Sequence, residues 1–269
     1  MILPEYMEIT SAQNPRIKHL LALQQKSQLR RSEGLFVVEG RRELQHCLSA
    51  GYEVDSLFLC PELSDGFSVE SPSLFTLPAS LYAKVAYRGS TEGVIAIVRE
   101  RRLTLGDLRL PVADEDGRAP LLIVLESVEK PGNLGAVLRS ADAAQADAVI
   151  VCDPLTDLFN PNLIRSSIGA IFTVPTVACS SEECIAFLKQ WGIRILTAQL
   201  QDSSLYYDTD MRCPTAIVMG TEDTGLTQQW RQAADAHIRI PMLGQLDSLN
   251  VSVSAAILLF EAVRQRETH

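Results

Sequence analysis

No stretch of this 269-residue chain is apolar for the roughly 20 consecutive residues that a membrane-spanning helix needs. The longest such runs, residues 121–125 and 255–260, fall far short. Nor do the first twenty residues hold an apolar core of the kind a secretory signal requires. Pro4, Glu5, Glu8, Asn14, Pro15, Arg16 and Lys18 interrupt it, and the chain reads as cytoplasmic. Histidine is scarce, at four, and never falls at a ligand-like spacing. The six cysteines, Cys47, Cys60, Cys152, Cys179, Cys184 and Cys213, include no C-x-x-C pair. That spacing argues against a zinc site or a disulfide framework, so the expectation is no metal and reduced thiols packed as small hydrophobes. Internal repeats and low-complexity tracts are also missing.

Positive charge is in deficit as well. Lys and Arg number 24 against 33 Asp and Glu, a formal net charge of −9. The deficit is uneven, because residues 16–42 contain Arg16, Lys18, Lys26, Arg30, Arg31, Arg41 and Arg42 but only Glu33 and Glu39, a local net of +5. A polyanion needs only such a local surface, since a few neutralised phosphates supply most sequence-independent affinity. The acidic total therefore leaves RNA open as a partner. The same segment also reads as an ordinary solvated helix face.

What is present is an ordinary globular composition, 46% hydrophobic and 21% charged. Ile17, Leu20, Leu21 and Leu23 fall on one stripe of a helix predicted over residues 15–29. Residues 35–40 read as a buried strand closing on Gly40, residues 41–50 as a helix, and residues 56–60 and 93–98 as strands. Glu39 and Gly40 read as fixing a strand end, with Glu39 neutralising a nearby arginine. These elements make an α/β domain over residues 1–110. Residues 111–120, with two prolines, a glycine and an acidic cluster, read as a linker. Over residues 121–269, apolar β-rich runs recur at 121–125, 148–151, 194–197, 216–219 and 237–240, and a last helix spans 253–267. Such runs separated by helical stretches imply a mostly parallel sheet covered on both faces, with ligands bound beyond the strand C-termini.

Three loops carry polar groups at those termini. The first opens a helix with Asn133-Leu-Gly-Ala-x-x-Arg139, where Asn133 reads as a cap and the Arg139 guanidinium suits a phosphate. The second, Gly220-Thr-Glu222-Asp-Thr-Gly225-Leu, brackets an acidic pair with glycines that permit close backbone approach. The third runs Ile240-Pro-Met242 to Ser248-Leu249-Asn250-Val-Ser, where Ser248 or Asn250 caps the final helix. None has the spacing of a dinucleotide or P-loop fingerprint, which argues against a nucleotide-dependent oxidoreductase.

In order and in sense, the three loops resemble the motifs of the SpoU (TrmH) RNA 2′-O-ribose methyltransferases of the SPOUT superfamily. The resemblance covers residues 121–269, including Arg165-Ser-Ser-Ile-Gly-Ala170 and Phe260-Glu-Ala-Val-Arg-Gln-Arg266. The stretch from Ile9 through Asn14-Pro15 to Lys18, with Phe36-Val-Val-Glu39-Gly40, is similar to that family's L30e-like substrate-binding domain.

The resemblance implies a SPOUT domain with a deep trefoil knot, preceded by a smaller L30e-like α/β domain. It implies S-adenosylmethionine as cofactor, held by Gly220, Ile240, Leu249, Met242, Thr197, Ala198 and Asn250. It implies methyl transfer to a ribose 2′-hydroxyl, with Arg139, Asn133, Glu222, Ser248 and Asn250 at the reacting centre. A guanidinium is ordinarily a donor only. Two roles for Arg139 therefore stay open, a locally deprotonated base or a charged clamp that orients the hydroxyl while water takes the proton. Glu222 is an alternative acceptor. Asp223 stands where the family usually has a small residue. The RNA contacts fall to Asn14, Arg16, Lys18, Arg30, Arg31, Arg41 and Arg42. Ribosomal RNA is favoured over tRNA because a separate N-terminal domain is present, and a homodimer through the C-terminal domain is expected. The rival reading is a non-catalytic RNA-binding protein that keeps the knot as scaffold.

Overall fold

A computed structural model describes residues 7–87, 92–111, 117–221 and 223–267. It divides into two compact units, Met1–Arg101 with Asp157–Thr173, and Arg102–Thr156 with Val174–His269. No helix among the described residues is long and apolar enough to cross a membrane.

The first unit is built on strands β1 (Met7–Glu8), β2 (Leu35–Glu39), β3 (Val54–Leu59), β4 (Leu74–Thr76) and β5 (Val94–Arg99), in the order β1-β4-β3-β5-β2. The β1/β4 and β3/β4 pairs are parallel, whereas β5 runs antiparallel to both β2 and β3. Ile17, Leu20 and Leu23 of the Pro15–Gln25 helix are fully buried against Val37, Phe58 and Ile95. Asn14 caps that helix by accepting the Arg16 N–H at 2.9 Å, with Pro15 in the first turn where its missing N–H costs nothing. The Glu39 carboxylate accepts the Tyr87 N–H and so fixes the end of β2.

The helix predicted over residues 15–29 is two helices. Lys26 is extended, and a second helix, Ser27–Glu33, ends on Gly34 at φ 63°. The break turns Arg30 inward. Its guanidinium donates to the carbonyls of Leu23 at 2.6 Å and Gln24 at 3.2 Å, in the last turn of the first helix, and to Asp157 at 2.7 Å. With its side chain 3% exposed, Arg30 satisfies helix-end carbonyls and is no phosphate contact, which corrects its assignment to the RNA set.

Asp157 belongs to the segment 157–173, which the first unit holds although the sequence places it inside the second domain. Phe159 stacks on Phe36 with ring centroids 4.4 Å apart, and Phe172 lies 5.3 Å from Tyr52. Burial pushes the Tyr52 hydroxyl up to about 12. Gly169, at φ 82°, passes so close to the Arg41–Ser49 helix that an added Cβ would lie 3.0 Å from the His46 ring.

The second unit carries strands β6 (Leu121–Glu126), β7 (Ala148–Cys152), β8 (Thr176–Cys179), β9 (Arg194–Ala198), β10 (Ser204–Leu205), β11 (Thr215–Met219) and β12 (Ala236–Arg239). Their order is β10-β12-β9-β11-β6-β7-β8 and every pairing is parallel. The five expected runs are all strands; β8 and β10, with four and two residues, carry too little periodicity to be read. One face of the sheet packs Val124, Ile150 and Val218 against Cys184 and Leu188 of the Ser181–Gln190 helix and against Trp230. The Pro131–Ala143 and Val251–Glu267 helices pack together and on β6, β7 and β11.

Leu108 and Leu110 are buried in this second core, with Leu103 and Leu105 packed against it, so the second unit begins at Arg102, ahead of the expected linker at 111–120. A Thr104–Asp107 capping box and the Leu103–Val177 bridge hold that approach. Residues 112–116 of the expected linker lie outside the described residues. At the other end of the chain the Arg266 guanidinium donates to the carbonyls of Ala119, Pro120, Met211 and Cys213, which explains an arginine in the closing helix.

Breaking the Arg30–Asp157 pair should be costly, because it strands a half-buried carboxylate and two helix-end carbonyls. Arg30→Met is expected to destabilise the first unit by about 3 kcal/mol. The neighbouring exposed Arg31→Met should stay within about 0.5 kcal/mol. Denaturant unfolding of the two variants side by side checks the difference.

Candidate functional site

The loops leaving β9, β11 and β12 enclose a cleft of about 320 Å³ at the C-terminal edge of the parallel sheet. Its wall combines Ala198, Gly220, Ile240, Met242 and Leu249 with polar residues that include Asp223, Arg231, Arg239 and Asp247. The size falls within the range of small-molecule sites, and the position is where open parallel sheets bind ligands.

The loop after β11 folds tightly back on itself. A Cβ on Gly220 would lie 2.3 Å from the backbone carbonyl of Gly225 and 2.6 Å from the Leu226 nitrogen, so only glycine fits. The Gly225 N–H donates to the Thr221 carbonyl at 3.1 Å, and Thr221 Oγ1 accepts the Thr224 N–H at 3.1 Å. Gly225 takes φ 67°, which supplies the second reason for a glycine. Beyond the loop, Thr227 donates its N–H and its hydroxyl to the buried Glu126 carboxylate at the end of β6, at 2.9 and 2.7 Å.

Two side chains of the cleft wall carry buried polar atoms that have no hydrogen-bond partner among the described residues: Arg231 Nε and Gln199 Oε1. A buried donor and acceptor left unmatched are costly unless a ligand completes them. Sequence reading missed both. Arg231 sits in the Gln228–Ala233 helix beside no motif, and Gln199 follows a strand end with nothing to distinguish it.

A polar cluster stands at the third loop. Asn250 Oδ1 accepts the Ser252 N–H at 3.0 Å and the Ser252 hydroxyl at 2.6 Å, so Asn250 caps the final helix. Its Nδ2 donates to Asn133 Oδ1 at 3.2 Å, joining the first and third motifs. Asn133 is the third residue of the Pro131–Ala143 helix rather than its cap, a position that Lys130 holds. Ser248 lines the cleft and donates to Asp247 at 3.3 Å. Arg139 is exposed on the Pro131–Ala143 helix, with no hydrogen bond or ion pair among the described residues. Six residues separate it from Asn133, about one and two-thirds turns, so the two leave the helix on different sides. Glu222 lies outside the described residues.

Of the residues expected at the cofactor, Ala198, Gly220, Ile240, Met242 and Leu249 line the cleft. Thr197 and Asn250 are not in its lining; the Thr197 side chain is fully buried in β9 with its hydroxyl 2.6 Å from His237 Nδ1 of β12, which leaves its backbone for any cofactor contact. Among the expected RNA contacts, Lys18 and Arg31 are exposed cations, and Arg16 lies over the Phe75 ring at 4.6 Å. Asn14 is committed to its cap. Arg41 donates to the Leu63 carbonyl at 3.1 Å, and Arg42 pairs with Glu43 at 3.5 Å.

An open parallel-sheet protein with a cleft at the strand C-termini, joined to a smaller mixed α/β unit, is the class that fold and site define. The chain belongs to the SpoU rRNA Methylase family, whose model matches residues 120–260; a second model, the MRM3-like substrate binding domain, matches residues 14–96. It is 36% identical over 179 residues to the 23S rRNA (guanosine-2′-O-)-methyltransferase RlmB of Pseudomonas syringae, covering 66% of this chain and 72% of that one. The crystal structure of an RNA 2′-O ribose methyltransferase, 39% identical, superposes with a TM-score of 0.81 over 97% of this chain and 100% of the other. An AdoMet-bound rRNA methyltransferase from Sinorhizobium meliloti, 28% identical, gives 0.85 over 96% and 98%.

The Gly220 contact yields a direct test. Gly220→Ala forces the loop apart and is expected to destabilise the second unit by about 1–3 kcal/mol. Gly132→Ala, where an added Cβ meets nothing within 4 Å, should change it far less. Thermal and denaturant unfolding of both variants measure the contrast.

Proposed function

We propose that this protein transfers a methyl group from S-adenosylmethionine to a ribose 2′-hydroxyl of ribosomal RNA. The observation that carries the reading is the cleft lined by Gly220, Ile240, Met242 and Leu249 at the strand C-termini, with Ser248 in its wall and the Asn133–Asn250 pair formed by the adjoining loops. The residues present fit S-adenosylmethionine. Gly220 lets the loop close on Gly225 and so shapes the cleft wall, and among the described residues Arg231 Nε and Gln199 Oε1 are a buried donor and acceptor without a partner in side chains that line it. When bound there, the cofactor supplies an electrophilic methyl on a sulfonium.

The chain's own part is binding and orientation. Gly220, Ile240, Met242 and Leu249 hold the cofactor by backbone and apolar contact and keep water from the donor. Asn133, Ser248 and Asn250 supply polar groups for the ribose. Arg139, exposed and without a hydrogen bond or ion pair among the described residues, presents its guanidinium donors to a phosphate of the RNA and so orients the 2′-hydroxyl in line with the methyl. The hydroxyl proton passes to Glu222 or to water.

In the first unit Arg16, Lys18, Arg31, Arg41 and Arg42 are the RNA contacts of this reading, with Asn14 ordering the helix that carries two of them. The match to a substrate binding domain and the 23S rRNA relatives support ribosomal RNA over tRNA. Leu243 and Leu246, 96% and 76% exposed, with Val253 and Phe260 also exposed, give the second unit an apolar surface that supports a homodimer. The deep trefoil knot and a cytoplasmic location complete the proposal.

The test is transfer of labelled methyl from S-adenosylmethionine to RNA from a strain lacking the protein, followed by size separation and nucleoside analysis. Label in a 2′-O-methylnucleoside of large rRNA is expected; label in tRNA transfers the reading to the tRNA alternative, and none in either RNA or ribosomal particles overturns it. Arg139→Ala should lower the rate of transfer by about 100-fold or more. Its cofactor affinity by calorimetry should change by less than about twofold, because Arg139 does not line the cleft.

A further inference from the structure

Three cysteines that lie far apart in sequence meet at one corner of the second unit. Cys152 ends β7, Cys179 ends β8, and Cys184 lies in the second turn of the Ser181–Gln190 helix. Cys152 and Cys179 are direct partners in the parallel β7/β8 register, on the sheet face that this helix covers. The three Sγ atoms all lie within 4.8 Å of one another. Cys152 and Cys184 are fully buried, whereas Cys179 is half-buried and gives the group a path to solvent.

We infer that Cys152, Cys179 and Cys184 form a three-thiolate binding site for a soft, closed-shell divalent metal ion of the zinc type. Zinc–sulfur bonds of about 2.3 Å place tetrahedral sulfur ligands about 3.8 Å apart, so the sulfurs need close in by at most about 1 Å. Thiolate selects such an ion against magnesium or calcium. Charge selects divalent over monovalent ions, because three thiolates leave −1 with a divalent ion and −2 with a monovalent one, and residual charge is costly in a buried place. Cys184 stands near the N-terminal end of its ten-residue helix, whose dipole favours that remaining negative charge.

The neighbouring carboxylates are already committed. Asp153 accepts the Ser181 N–H at 3.2 Å and its hydroxyl at 2.6 Å, and Glu183 accepts the Ser180 N–H and hydroxyl, both at 2.8 Å. The protein therefore offers three ligands, and the fourth position falls to water from the Cys179 side. Loading exchanges the thiol protons for the ion, with no change of oxidation state. The bound ion links β7, β8 and the helix, so it stabilises the second unit by linkage.

The experiment uses the full chain, reduced, freed of metal with a chelator and then separated from it. Cadmium is titrated while thiolate-to-metal absorbance is followed, and zinc affinity is measured by competition with a chromophoric chelator. One equivalent per chain is expected, with a zinc-dependent rise in melting temperature. Cys179→Ser, at a half-buried position, should keep the metal-free melting temperature and lose at least about 100-fold in zinc affinity. Cys184→Ser should lose similarly, and Cys47→Ser and Cys60→Ser should bind as the parent does. Absence of stoichiometric binding overturns the proposal, as does binding that survives Cys179→Ser or that disappears equally in Cys60→Ser.

Discussion

The Glu126 carboxylate, 3% exposed at the end of the central strand β6, is the point from which the cleft loop hangs. A buried carboxylate is tolerable only when donors replace its water, and here Thr227 supplies two. Those bonds fix the chain just beyond Gly225 and Leu226, so the tight turn that forms the cleft wall is anchored at its exit. The same corner continues through Trp230, fully buried, whose Nε1 donates to Ser181 Oγ, and through Ser181 to Asp153 after β7. One polar chain thus ties the ends of β6 and β7, the start of the Ser181–Gln190 helix and the cleft loop. Each donor and acceptor in it restrains a different loop at the same edge of the sheet. Its polar satisfaction is what lets Leu226 and Trp230 seat in the apolar core beside it.

The parallel sheet was legible because both of its faces are buried and its strands are therefore short continuous apolar runs. Residues 121–125 and 216–219 announce themselves for that reason, and β10, a two-residue edge strand, does not. The cleft was legible for a different reason. Gly220, Ile240, Met242 and Leu249 match motif positions of the family that the sequence resembles and line the cleft, and for Gly220 the structure gives a steric cause in the 2.3 Å that separates a Cβ placed there from Gly225. The hydroxyl of Thr197 turns out to be engaged across the ladder with His237, a pairing that no local sequence feature announces.

What stayed hidden depends on contacts distant in the chain. Arg30 looks like any cation in a basic segment, and only the extended Lys26 and the return of Asp157, more than a hundred residues later, make it a structural arginine. The same return moves residues 157–173 out of the unit that their sequence neighbours build. Phe36, Phe159 and Phe172 secure that exchange by stacking, an interaction with no sequence periodicity to reveal it. The cysteine group is hidden in the same way: register pairs Cys152 with Cys179, and register in a parallel sheet is set by packing across a crossover rather than by a local turn.

In the proposed function the polar site divides its labour along its scaffolding. Asn250 is held by the helix it caps and by Asn133, so it is rigid before any substrate arrives. Arg139 is the opposite, a long exposed side chain with its donors uncommitted among the described residues, on another side of the helix that carries Asn133. A rigid amide pair suits a group whose position must be accurate, the ribose. A mobile guanidinium suits a group whose position varies from one RNA conformation to the next, the phosphate, because a charge-assisted bidentate contact offsets the rotamer entropy it loses. That asymmetry favours the clamping role for Arg139 over that of a base, which would have to be as closely held as the hydroxyl it serves.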